Sequence, residues 1–198
     1  MVDGGGNGPN GPKGDRRPYP EGVPDYGKQP AMRVYVPLTL PALAEVHRSG
    51  ELGPAPLRAY AVTPALREWL GSDDIEELEY AALGRAALAS LQLLAEDPAA
   101  ARRRVVLAVD VADRSVTPEP ASDEASLGRV AVAGDVRLTA AGAVHADADD
   151  AGPDVSAAAA AVPAAAGGDA KAQDTVDAAE DHELLWYGVQ EIPNLIGG

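Results

Sequence analysis

The chain has 198 residues, a mass of 20.2 kDa and a net charge of −15, which suits one domain with a sizeable core. Having no cysteine, it has no disulfide, no thiolate metal site and no cysteine nucleophile. Its 16 basic residues stand against 31 acidic ones, so it repels phosphate backbones and no nucleic-acid partner is expected.

Hydrophobic residues make up 46% of the chain, but aromatics only 4% and phenylalanine none. The core must therefore come from Leu, Val and Ala, which bury less area per residue. The charge is uneven: residues 1–31 balance at zero, 32–146 carry −5 and 147–198 carry −10. No apolar run approaches the ~20 residues of a membrane span, and the N-terminus lacks the layout of a secretion signal. A cytoplasmic location without a membrane partner is expected.

Residues 1–31 hold eight glycines and six prolines and read as a disordered extension, because they cannot bury enough surface to offset their ordering entropy. Gly6, Gly8 and Gly11 spell GxGxxG, but that motif needs a strand before it and a helix after it, and neither is predicted. Arg33–Val36 is a short strand closed by Pro37. Thr39 caps a helix through about Arg48, with Gly50 just past its end. Leu57–Val62 is a second strand. Thr63-Pro64 starts a brief helix, a hydroxyl cap followed by proline at the first helical position, and Gly71 ends it.

The longest helix is predicted from Asp73 to about Glu96, with Glu76 completing a capping box and Pro98 ending it. Ile75, Leu78, Ala82, Ala86, Ala89 and Leu93 share one face, and Tyr80, Leu83, Ala87, Leu91 and Leu94 another. A helix apolar on two faces lies between layers or at an interface, which allows a homodimer. The run Val105–Val111 is continuous and β-branched, and predicts a central strand. Weaker strands are predicted over Arg129–Ala133 and Ala143–Ala146. Residues 147–180 read as a mobile Ala/Asp-rich acidic insertion carrying one short helix.

The last predicted element is a helix over Asp181–Pro193 that puts His182, Leu185, Trp186, Val189 and Ile192 on one face. Trp186 reads first as its core anchor, since an indole buries ~150–250 Å². His182 sits at the head of the same stripe, and Pro193 stops the helix. Whether that face is sealed or open as a partner site stays undecided. The fold class is thus α/β or α+β: a small single sheet of four to five strands over residues 32–196, with helices packed on it as in a ferredoxin-like two-layer sandwich.

Little chemistry stands out. There is no Walker loop, no GxSxG and no HExxH. His145, Asp147, Asp149 and Asp150 fall together, but Ala151 and Ala158 occupy positions where a calcium loop needs ligands, so no metal or cofactor is expected. Asp110 ends the central strand, where open α/β sheets bind ligands, and with His145 and His182 it forms a cluster if the fold joins them. The candidate functional surface is therefore His182, Trp186, Asp110 and His145.

Four segments carry a resemblance: Met32–Pro37 (MRVYVP), Ala61–Arg67 (AVTPALR), Glu77–Ala82 (ELEYAA), and His182–Tyr187 (HELLWY) with Gln190–Pro193 (QEIP). In this order they resemble a family of small uncharacterised actinobacterial proteins of unknown function, over roughly 32–196. The resemblance implies an intracellular protein and no particular activity. On these grounds the chain is expected to be a non-enzymatic interaction or regulatory module with a protein partner. The alternative is a small enzyme or ligand-binding domain using His182 with nearby carboxylates.

Overall fold

Two long antiparallel strands, β1 (Ala31–Leu38) and β4 (Val105–Ala112), form the middle of the structure, paired from Ala31↔Ala112 to Leu38↔Val105. The computed structural model describes residues 31–197; the predicted N-terminal extension, with its GxGxxG glycines, lies outside them up to residue 30. Between and after these strands come α1 (Leu40–Ser49), β2 (Glu51–Leu52), β3 (Leu57–Ala61), α2 (Pro64–Leu70) and α3 (Ile75–Glu96). There follow β5 (Val116–Pro118), β6 (Arg129–Val132), β7 (Val136–Arg137), β8 (Ala141–Ala146), α4 (Gly152–Ala166), α5 (Ala170–Asp177), β9 (Leu185–Tyr187) and α6 (Ile192–Ile196).

The main sheet has seven strands in the order β5-β6-β3-β1-β4-β8-β9, every pair antiparallel. β2 and β7 form a separate pair. The mixed α/β class is as expected, but seven strands replace four to five. The additions, β5 and β9, are three residues long, too short to show an alternating pattern in sequence.

Alternation along the strands sorts the core into two halves. Val34, Val36, Val105, Leu107, Val109, Val144 and Ala146 face α1, α6 and the β2–β7 pair, against Leu43, Val46, Leu52, Val136, Ile192 and Leu195. Tyr35, Tyr60, Val106, Ala108 and Ala143 face the other way, under α2 and α3, against Leu66, Leu78, Ala82, Ala86 and Ala87. Helices pack on both faces, so the arrangement has three layers and not the two of a ferredoxin-like sandwich.

The caps of α1 and α2 are as the sequence predicts. Thr39 and Thr63 accept N–H groups from Ala42 and Leu66, and Gly50 and Gly71 close the helices in the left-handed conformation that L side chains resist. For α3 the cap is Asp74, one residue later than expected, accepting from Glu76 and Glu77. Its two apolar faces have separate uses. One meets the sheet, and at its C-terminal half the other, with Leu91 and Leu94, meets Val155, Ala158, Ala159, Val176 and Ala179 around α4 and α5. Residues 147–180 thus hold two helices where one short helix was expected, and the apolar face that allowed a homodimer is partly covered from within the chain.

The predicted C-terminal helix is absent. Residues 185–187 form β9 beside β8, Gly188 breaks the strand, and α6 begins only at Ile192. The aromatic pair Trp186-Tyr187 suits a strand, and β8 offers an open edge to pair with. Pro193, read as a stop signal, sits in the first turn of α6, where its missing N–H costs nothing.

Candidate functional site

The α3 side of the sheet is not fully covered. Cross-strand pairing puts Arg33 opposite Asp110, Tyr35 opposite Ala108, and His145 opposite Trp186. Beyond the footprint of α3, the small residues Ala108, Gly142 and Ala143 leave a depression of about 400 Å³. Arg33, Tyr35, His145 and Trp186 line it from the sheet and Glu79 lines it from α3.

Three of the lining groups, Arg33, Tyr35 and His145, have shifted pKa values. Arg33 donates to Asp110 through Nε and Nη2, at 3.1 and 3.2 Å. That ion pair raises the Arg33 pKa and fixes the charge as positive. Burial pushes the Tyr35 phenol up to about 12, and the Glu79 carboxylate adds to the shift against the opposing Arg33. Burial lowers the His145 pKa, and the Arg33 charge lowers it further. Near neutral pH the centre of the cleft is therefore an uncharged phenol and an uncharged imidazole, in edge-on contact with ring centroids 6.4 Å apart.

Trp186 stands over this cleft 63% exposed. The expected core anchor is thus a surface residue, because β9 turns its side chain to the same face as His145. Tyr187 points the opposite way, into the core beside α1 and α6. Its hydroxyl accepts from Arg103 at 3.0 Å, with the guanidinium over the ring.

His182 lies elsewhere. It lines a second cleft of about 180 Å³ with Tyr80, Leu83, Arg104, Glu180 and Glu183. Its Nε2 is 2.7 Å from Asp154 Oδ2, and its backbone carbonyl accepts from Arg104 at 2.8 Å. Burial, opposed by Arg85, raises the Glu180 pKa there. The predicted cluster of Asp110, His145 and His182 does not form. Asp110 and His145 are joined through Arg33 and the cleft, while His182 pairs with Asp154.

The acidic run after β8 is also spoken for. Asp147 is fully buried and holds Arg104 through its backbone N–H at 2.6 Å and its guanidinium at 2.7 Å. Arg103 reaches Asp149 at 3.2 Å, and Arg102 caps the end of α3 by donating to the carbonyls of Leu94 and Asp97. The three-arginine run is thereby used inside the fold. Among the described residues no group of three or more His, Asp or Glu side chains is placed to hold a metal ion.

Three lining residues escaped the sequence reading. Arg33 and Tyr35 alternate with Val34 and Val36, the pattern of a strand with two different faces, but nothing local says which face stays open. Glu79 read only as favourable charge near a helix start.

A family model covers residues 32–196, from within β1 to the last residue of α6. The chain belongs to DUF6912, a family of unknown function. No curated protein and no solved structure matches it. The DUF6912 region spans both clefts and every strand of the main sheet, so the Trp186 cleft is made entirely of family residues. No helix among the described residues of this DUF6912 chain is long and apolar enough to cross a membrane.

Proposed function

We propose that this DUF6912 chain is a non-enzymatic recognition module whose docking point is the Trp186 cleft. One observation carries the reading: an indole in a chain with 4% aromatics is left 63% exposed above a polar depression. Tryptophans that anchor an interface are buried by the partner, and the rim around them contributes less.

The test separates recognition from folding. Trp186→Ala is expected to change unfolding free energy by less than about 1 kcal/mol, since the side chain is mostly solvated. The same variant, used as bait beside the wild type in a lysate of the native host, should lose a partner that the wild type retains. Equal capture by both removes the docking role of Trp186.

A second reading has one observation behind it, the His182–Asp154 pair at 2.7 Å. A carboxylate that holds an imidazole is the orienting half of a general-base arrangement. In this reading the chain is a small enzyme or ligand-binding domain working in the His182 cleft, and His182→Ala should abolish its turnover or binding while Trp186→Ala leaves both intact.

A further inference from the structure

Resting on the recognition reading, the charges of the Trp186 cleft point to the partner's chemistry. Arg33 is already matched by two contacts to Asp110. Glu79 is a second carboxylate acting on the same guanidinium, so Arg33, Asp110 and Glu79 together carry one net negative charge. Between them, Tyr35 and His145 contribute neutral polar groups and Trp186 a π face. We propose that this cleft takes the arginine or lysine side chain of a basic segment on a partner protein, its cationic head held between the Trp186 ring and the Glu79 carboxylate. The face of an indole attracts a cation through its quadrupole, more strongly than any other side-chain ring. An anionic ligand would meet Glu79 and a chain carrying −15.

Charge complementarity extends past the cleft. Residues 147–198, which include Trp186 and both helices beside α3, hold eleven acids and one lysine. Such a field raises the encounter rate of a positively charged segment and weakens with salt. The depression of about 400 Å³ has room for one long side chain beside the indole.

The experiment uses the full chain with Trp69→Phe, so that emission reports Trp186 alone, and an acetylated, amidated Gly-Gly-Arg-Gly-Gly peptide as probe. Calorimetry on the unsubstituted chain repeats the ranking in case Trp69→Phe perturbs the fold. The arginine peptide should shift Trp186 emission and bind about tenfold more tightly than the same peptide with citrulline, a neutral isostere. Glu79→Gln should weaken it about fivefold at low salt. Equal binding of the arginine and citrulline peptides overturns the cation. Methylguanidinium binding as tightly as the peptide overturns the assignment to a protein segment. If host capture depends on Trp186 while arginine and citrulline bind alike, only the cation is lost; if capture ignores Trp186, the recognition reading falls as well.

Discussion

Asp147 carries a carboxylate with no solvent contact, and every hydrogen bond to that carboxylate comes from Arg104. Removing one partner of a buried pair leaves the other charge without compensation, which costs about 3–5 kcal/mol. Asp147→Ala should therefore destabilise by that amount in denaturant unfolding, and a loss under ~1 kcal/mol would mean water takes over the role. His145 makes a smaller, pH-dependent contribution. Its folded pKa lies below the ordinary 6.5, so the unfolded chain takes up the proton first as pH falls. Stability then declines as pH drops from about 6.5 toward the lowered value, and the decline stops below it. Glu180 has the opposite sign: its pKa is raised above 4.5, so its contribution is full below that value and is lost as pH rises through the raised one. Comparing wild type with His145→Gln isolates the imidazole. Below pH 6.5 the wild type should lose stability relative to the variant, and parallel profiles would contradict its buried neutral state.

At the level of elements, the sequence spoke where the chemistry was local. Thr39, Thr63, Gly50 and Gly71 marked their helix ends because a hydroxyl cap and a left-handed glycine act within one turn. The Val105–Val111 strand was legible because a strand buried on both faces reads as a continuous apolar run. The segment 181–196 was not, since its helical stripe competes with an option invisible in the chain, the free edge of β8. Among site residues, His145 and Trp186 were singled out and line one cleft, Asp110 is tied to it only through Arg33, and Glu79 needed the placement of α3 to be seen. That placement is pinned by Ser90, whose hydroxyl donates to the Leu38 carbonyl at 2.7 Å and accepts the Val105 N–H at 2.9 Å. Ser90→Ala leaves two main-chain groups under α3 without their partner, so a loss of about 2 kcal/mol is expected in chemical unfolding. A neutral result would show that α3 is held by its alanine face alone.

For the molecule as a whole, the net charge of −15 works against compaction. Raising ionic strength from about 0.01 M to about 0.15 M shortens the screening length from ~30 to ~8 Å. The melting temperature should rise over that range, because self-repulsion among exposed carboxylates is screened while the buried Arg104–Asp147 pair is not. A fall would mean that exposed ion pairs such as Arg48–Glu45 matter more than the repulsion. The same excess of acid separates core from surface: the described ion pairs are mostly at the periphery, and the strongly buried one sits where β4 begins and α4 is about to start.

Both ends of the seven-stranded sheet finish in strands of only three residues, β5 and β9. β5 ends at Pro118, which lacks an N–H to offer, and β9 is cut short by Gly188. A sheet with long flat margins is a template on which further copies can add, and natural proteins blunt that hazard with short edges and proline. Here the bluntness sets the sheet's width at seven strands and discourages fibrous growth, while the surface at β9 is presented through side chains and not through a long open backbone ladder.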